Sequence, residues 1–386
     1  MTEQAKPIDH PGHPERTDRI DVTQPYLPPL EEFTPYLERI WASRQLTNGG
    51  AMHAEFERAL ADYLGVAHIS LLANGTLALM VALEALQSEG EVITTAFSFV
   101  ATAHALSWKK LKPVFADIDA HTLNLDPGAV ERAITPQTRA ILAVHTYGQP
   151  ADIVALQGIA DRHGLQLIYD AAHSFGVRDA GGSILRHGDA SILSFHATKV
   201  FTTFEGGAIV CRDADLKKRV DRLKNFGFGE DGSIADCGIN AKMNEVQAAF
   251  GLLQLRHVDH AIGLRRRLDA RYRERLSGID GVRLIPLLPG VTQNYSYFPI
   301  LIEAGFRESR DALLARMQQH GIFARRYFYP LLSNIERYCS LPSAQRDNLP
   351  VSNRSAQSVL CLPISPNLGE PDVDRIVSVI AEASHG

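Results

Sequence analysis

Cysteine is scarce in this chain: four residues among 386, at positions 211, 237, 339 and 361, with no Cys-x-x-Cys pair. Such spacing argues against a disulfide framework or a cysteine-built zinc site, no other metal centre is expected, and a reducing compartment suits the chain. Long apolar runs are missing too, and nothing approaches the roughly 20 residues that cross a bilayer. The first 20 residues are polar, carry Pro, His and charges of both signs, and lack the apolar stretch of a secretory leader. Residues 1–21 are therefore expected to form a mobile N-terminal extension, and the cytoplasm is the expected location. There is no excess of positive charge. Lys and Arg number 39 against 44 Asp and Glu, a net charge of −5, so no broad basic field exists to hold nucleic acid. No Gly-x-Gly-x-x-Gly and no Walker-type loop occurs, which speaks against dinucleotide and P-loop enzymes. Internal repeats and low-complexity tracts are absent as well.

What remains is an ordinary globular composition, 45% hydrophobic and 22% charged. After a helix near 31–43, helical patterns near 53–64, 76–88, 100–109, 127–133 and 152–163 alternate with apolar runs. Those runs lie at 67–72, 91–95, 112–116, 139–145, 165–170, 190–195 and 207–211. The alternation predicts an α/β fold, a mainly parallel sheet with helices on both faces. A helical tract follows over about 243–275, ending in an arginine-rich stretch from Arg265 to Arg273. That stretch suits either phosphate binding or, more generally, a solvated helix face. A strand at 295–302 and helices at 306–320 and 371–384 predict a smaller C-terminal α+β domain. The expected division is 22–260 for the large domain and 261–386 for the small one.

Lys199 and Asp170 carry the most chemistry. The run 165–169 delivers Asp170 to a strand end, and Lys199 stands on the turn after the next strand. A lysine and a carboxylate displayed side by side at strand ends suit pyridoxal phosphate: the amine forms a Schiff base and the carboxylate keeps the pyridine nitrogen protonated. Asn74-Gly75-Thr76 opens a helix after a strand, where backbone N–H groups suit a phosphate, although Asn and Thr also cap helices without any ligand. Phe99 could stack on a planar cofactor or belong to the core. His173 could meet the phenolic oxygen of a pyridoxal ring or be structural. His145 and Tyr147, at another strand end, share that ambiguity. Glu205-Gly206-Gly207 reads as a turn into a strand.

Taken together, Leu46-Thr47-Asn48-Gly49, Asn74-Gly75-Thr76, Asp170-Ala171-Ala172-His173, Ser194 to Lys199 and Glu205-Gly206-Gly207 resemble the DegT/DnrJ/EryC1/StrS family of nucleotide-sugar aminotransferases, from about residue 22 to the C-terminus. The resemblance implies the fold-type I, aspartate aminotransferase-like architecture and pyridoxal 5′-phosphate as cofactor. It implies Lys199 as the Schiff-base lysine and Asp170 as partner of the pyridine nitrogen. Gly75, Thr76 and Ser194 become phosphate contacts, Phe99 the covering ring, and His173 the residue at the phenolic oxygen. Asn240 becomes a residue that reaches the neighbouring subunit's cofactor, which implies a homodimer with shared sites.

Residues 22–30, 242–250 and 325–330 are similar to members that aminate dTDP-4-keto-6-deoxyglucose with L-glutamate as donor. His145, Arg325 and Tyr327 are expected to touch the sugar substrate. Many relatives carry Gln at position 173 and His-Tyr-Pro where this chain has Phe328-Tyr329-Pro330. Alternatives are a 3-keto or GDP-linked sugar, or a regulatory protein that binds the cofactor without turnover. A sugar dehydratase of the same fold would carry histidine in place of Lys199.

Overall fold

The computed structural model describes residues 19–229 and 231–385. Helices return the chain after most strands of the main sheet, so neighbouring strands run in the same direction. Across the sheet the order is Ile69–Leu72, Gly207–Cys211, Ala190–Ser194, Gln166–Asp170, Thr138–Val144, Glu91–Thr95 and Lys112–Ala116. Only Gly207–Cys211 opposes its neighbours, pairing antiparallel with Ile69–Leu72 and Ala190–Ser194. The strands are buried almost throughout, as a sheet covered on both faces requires.

One face packs on Leu30–Ser43, Ala51–Leu64 and Glu245–Leu255 through Phe33, Phe56, Leu60, Phe250 and Leu253. On the other face Leu79, Val81, Leu106 and Val220 pack, from helices Gly75–Ala85, Val100–Trp108 and Ala214–Leu223. The last of these helices was not anticipated. Asp213 caps it by accepting from the Leu216 N–H at 2.8 Å.

A three-stranded antiparallel sheet, Val282–Leu284, Phe298–Ile302 and Val359–Leu362, forms the smaller unit. Helices Arg310–Gln319, Glu370–His385 and much of Val258–Leu276 supply its core, with Leu268, Tyr272, Leu313 and Ile380 fully inside. The boundary expected at 260 falls within the helix Val258–Leu276. Its Val258 end packs in the large core, whereas Leu268, Tyr272 and Leu276 pack in the small one.

Of the extension expected over 1–21, residues 1–18 lie outside the described residues. Ile20–Asp21 instead pairs in parallel with Ile322–Phe323, and Ile20 is buried in the small unit's core. The predicted tract 243–275 is two helices, interrupted at Arg256 and His257. Its arginines do not form one cationic face: Arg266 and Arg267 are exposed, as a solvated helix face expects, but the others are engaged. Arg265 is 2% exposed and donates to the carbonyl of Ile364 at 2.9 Å. Arg271 pairs with Asp374 and Arg273 with Asp269. No helix among the described residues is long and apolar enough to cross a membrane.

Two distant segments are joined by one carboxylate. Glu245, 2% exposed, accepts from the backbone N–H groups of Met52 at 2.8 Å and His53 at 3.1 Å, so it caps the helix Ala51–Leu64 from outside. Gly50 allows the approach, since a Cβ there would lie 2.5 Å from Glu245 Oε2. Asn244 beside it forms a capping box with Gln247.

Candidate active site

Successive side chains of Gln166–Asp170 alternate faces, so Asp170 and Tyr169 point to opposite sides of the sheet. Asp170 is 6% exposed at the strand's C-terminal end, where open α/β sheets bind ligands. Its Oδ2 accepts from the Thr102 hydroxyl at 2.8 Å and its Oδ1 from the Ala172 N–H at 3.2 Å. Burial raises its pKa, while those donors and the Lys199 charge hold it down.

Lys199 is half-buried on a turn whose backbone is pinned back to the preceding strand. The Lys199 N–H donates to His196 O at 2.9 Å, and Thr202 and Thr203 both donate to Phe195 O. Phe195 and Phe201, fully buried, anchor the turn, and Phe201 stacks on Phe175 at 4.2 Å. Burial brings the Lys199 pKa down to about 8, outweighing the opposing effect of Asp170. A substantial fraction of its amine is therefore neutral at mildly alkaline pH.

A narrow cradle lies at the start of the helix Gly75–Ala85. Asn74 takes two amides of the first turn, its side chain accepting from Leu77 at 2.9 Å and its carbonyl from Ala78 at 3.1 Å. The amides of Gly75 and Thr76 have no acceptor among the described residues, and this end of the helix favours anions. Gly75 sits directly against Ser194: a Cβ on Gly75 would meet Ser194 Cβ at 2.9 Å. Gly207 presses from the neighbouring strand, where a Cβ would lie 2.7 Å from the Asn74 carbonyl group. Gly207, read from sequence as the end of a plain turn, is thus part of the cradle wall, whereas Gly206 packs against Thr203, Met243 and Phe195.

His173 is 5% exposed and its Nδ1 is sealed without a partner. Its ring lies parallel to Phe328, centroids 6.0 Å apart, and edge-on to Tyr297 at 4.8 Å. Its carbonyl accepts from Asn294 at 2.8 Å and Ser296 at 2.7 Å. Burial, with the Lys199 charge behind it, pushes its pKa well below the usual histidine range, so the ring is neutral. Phe328, 5% exposed, is a wall for His173 and Tyr147 rather than a polar contact.

Phe99 is 57% exposed at the N-terminus of Val100–Trp108, which removes the core reading for that ring. Tyr327 is half-buried and lines a small cavity with Thr198, Ser296 and Tyr297, adjoining the Lys199 turn. Arg325 is exposed and its backbone pairs with Cys361 beside this cavity, but its side chain is not among the cavity's lining. Asn240 is exposed, on a segment whose next residue, Ala241, accepts from Ala73 at 2.8 Å.

His145 does not join this group. It is fully buried and stacks on Tyr169 at 4.5 Å, hence on the face of the sheet away from the Asp170 side chain. Its Nδ1 accepts from the Ala151 N–H at 3.0 Å, and burial brings its pKa down to about 3. A substrate contact by His145 is therefore corrected to a structural role. Sequence reasoning passed over Ser98 and Thr102, which form the buried hydroxyl pair behind Asp170.

These residues fit pyridoxal phosphate. Gly75, Thr76 and Ser194 would hold the phosphate, Asp170 the ring nitrogen, Lys199 the aldehyde carbon, and Phe99 a ring face. The buried, unpartnered Nδ1 of His173 lies within reach of the Lys199 charge. Among the described residues no group of three or more His, Cys, Asp or Glu is placed to hold a metal.

Residues 30–381 match the model of the DegT/DnrJ/EryC1/StrS aminotransferase family. A dTDP-4-amino-4,6-dideoxy-D-glucose transaminase of Shigella dysenteriae is 52% identical over 363 residues, which are 94% of this chain and 98% of that protein. One of the same name from Escherichia coli is 49% identical, covering 94% and 98%. The crystal structure of DesI in the presence of its TDP-sugar product superposes with a TM-score of 0.91 at 38% identity, covering 96% of this chain and 94% of that one.

Proposed function

The chain belongs to the DegT/DnrJ/EryC1/StrS aminotransferase family, and within it we propose that it moves an amino group from L-glutamate to C4 of dTDP-4-keto-6-deoxy-D-glucose. The products are dTDP-4-amino-4,6-dideoxy-D-glucose and 2-oxoglutarate. The single observation behind the chemistry is the meeting of Asp170 and Lys199 at adjacent strand ends, each within reach of the other's charge. The sugar is the one named for the 52% identical relative of Shigella dysenteriae, a dTDP-4-amino-4,6-dideoxy-D-glucose transaminase.

Pyridoxal phosphate, when bound, supplies an electron-withdrawing ring that stabilises negative charge at the reacting carbon. The protein's own part begins with binding. The Gly75 and Thr76 amides and the Ser194 hydroxyl grip the phosphate at the positive end of a helix. Asp170, ionised and buried, holds a proton on the pyridine nitrogen. Lys199, with its amine partly neutral near pH 8, takes the proton from Cα of the glutamate and in the second half-reaction returns one to C4 of the sugar. Phe99 would cover a ring face and exclude water from it. Tyr327, beside Thr198, and Arg325 are the residues we assign to the sugar nucleotide.

Asn240 is assigned to the cofactor phosphate of a second copy of the chain, in a homodimer with shared sites. What supports this is the apolar surface around it: Phe226, Phe228 and Ile239 are each at least 40% exposed. The test is incubation of cofactor-loaded protein with glutamate and a panel of dTDP- and GDP-linked keto sugars, followed by NMR identification of the amino sugar. A 4-amino-4,6-dideoxyglucose product is expected. A 3-amino sugar, or turnover of only GDP-linked sugars, would overturn the substrate assignment while leaving the chemistry in place.

A further inference from the structure

Asp170 depends on two hydroxyls that no resemblance assigns. Thr102 is the third residue of the helix Val100–Trp108 and is fully buried, as is Ser98 to within 3%. Thr102 Oγ1 lies 2.8 Å from Asp170 Oδ2 and 2.8 Å from Ser98 Oγ. A hydroxyl has one proton. With Asp170 ionised the carboxylate can only accept, so the Thr102 proton is committed to it and Ser98 must donate to Thr102. The pair is a one-way chain of donors that ends on a carboxylate taken out of water.

We infer that Thr102, backed by Ser98, is the positioning residue that keeps Asp170 ionised and aimed, a role that rests on the pyridoxal phosphate reading given above. Burial favours the neutral acid, which could not hold a proton on a pyridine nitrogen. Two donors oppose this, the Thr102 hydroxyl and the Ala172 amide. The amide is part of the backbone, so Thr102 is the donor a substitution can remove.

Among the described residues, few charged groups act on Asp170. Lys199 faces it from the turn after Ala190–Ser194. His173, on the loop that leaves Asp170, is neutral by burial, and His145 is turned to the opposite face. The helix carrying Thr102 and the residues just before it offer the Thr102 and Ser98 hydroxyls, while His104 on that helix bonds to the Tyr338 hydroxyl at 2.8 Å. Loss of the Thr102 donor is therefore not made good by a neighbouring cation other than Lys199.

The experiment compares Thr102→Val, Thr102→Ser and Ser98→Ala with the wild type. Three quantities are read: the pH profile of kcat, the KM for glutamate, and the affinity for pyridoxamine phosphate by equilibrium dialysis. In Thr102→Val the acid limb is expected to move to higher pH by about one unit. Pyridoxamine phosphate should bind roughly tenfold more weakly, with glutamate KM changed less than about twofold. Thr102→Ser restores the limb, and Ser98→Ala shifts it the same way by a smaller amount.

A folded Thr102→Val with an unmoved acid limb and wild-type affinity overturns the inference, even if its melting temperature is lower. If Thr102→Val does not fold, an unmoved limb in Ser98→Ala has the same consequence. A wild type that itself fails to bind pyridoxamine phosphate would instead sink the cofactor reading of the site.

Discussion

At the scale of single residues, the site is set by how each side chain is removed from water. Lys199 is the clearest case, since burial alone brings an amine from the usual lysine range to about 8. Only the neutral amine adds to an aldehyde, so capture should quicken as pH rises through about 8 and level off above it. Timed borohydride trapping of added pyridoxal phosphate, with peptide mapping of Lys199, checks this. A rate still climbing steadily to pH 10 would place the amine in solvent. Gly207 gives a second residue-scale test. Its missing side chain lets the Asn74–Gly75 backbone lie against it, so Gly207→Ala should displace the phosphate cradle at a cost of about 1–3 kcal/mol. Weaker binding of pyridoxamine phosphate, with little change in affinity for unphosphorylated pyridoxamine, is the expected outcome.

What the residue scale offered to sequence reading was uneven. Asp170, Lys199 and Gly75 announce themselves through neighbours in the chain: an apolar run ends, a turn begins, and the chemistry-bearing residue follows at once. Thr102 and Ser98 give no such signal. Their partner Asp170 is 68 residues from Thr102, and a buried hydroxyl looks like any helix-start threonine until the sheet brings the carboxylate to it. His145 misled for the opposite reason. It stands at a strand end, where ligands bind, but its ring turns back over Tyr169.

At the scale of elements, the strands of the main sheet and most of its helices were legible because period and length agreed, Ala214–Leu223 being the exception. The arginine-rich helix was not. Ala261, Arg265, Leu268, Tyr272 and Leu276 fall on one buried stripe, and the cation among them is inside with the apolar residues. The stripe was present in the spacing, but a charged residue within it is ordinarily assigned to solvent. Arg265 instead gathers the carbonyl of Ile364 and the Thr23 hydroxyl, tying the N-terminal segment to the small sheet. Element ends provide a prediction of their own. Glu245→Ala leaves the Met52 and His53 amides buried without acceptors, so unfolding free energy should fall by about 1–3 kcal/mol. Glu245→Gln, which keeps one acceptor oxygen, should lose less. A urea midpoint for Glu245→Ala equal to that of the wild type would deny the cap any energetic role.

At the scale of the whole molecule, apolar rings stand in solvent on the segments that flank Asn240. Phe226 and Phe228 contact each other at 6.5 Å, and Lys242 lies over the Phe226 ring at 4.7 Å. In the proposed homodimer this surface is buried. Phe226→Asp should therefore yield monomers in sedimentation, and cofactor affinity should fall with it if Asn240 completes the neighbouring site. Asn240→Ala should keep the dimer and lose only affinity. A wild-type protein sedimenting as a monomer with full cofactor affinity would remove the shared-site arrangement.

The Glu245 joint has a bearing on how the chain is made. The carboxylate and the amides it caps are 193 and 192 residues apart, and Ile20 waits still longer for Ile322. A nascent chain leaving the ribosome therefore carries the helix Ala51–Leu64 uncapped, its apolar side uncovered, until Glu245–Leu255 has also emerged. Through that interval the early segment is a natural client for a holding chaperone, and truncations ending before Glu245 should be degraded or precipitate while the full-length product accumulates.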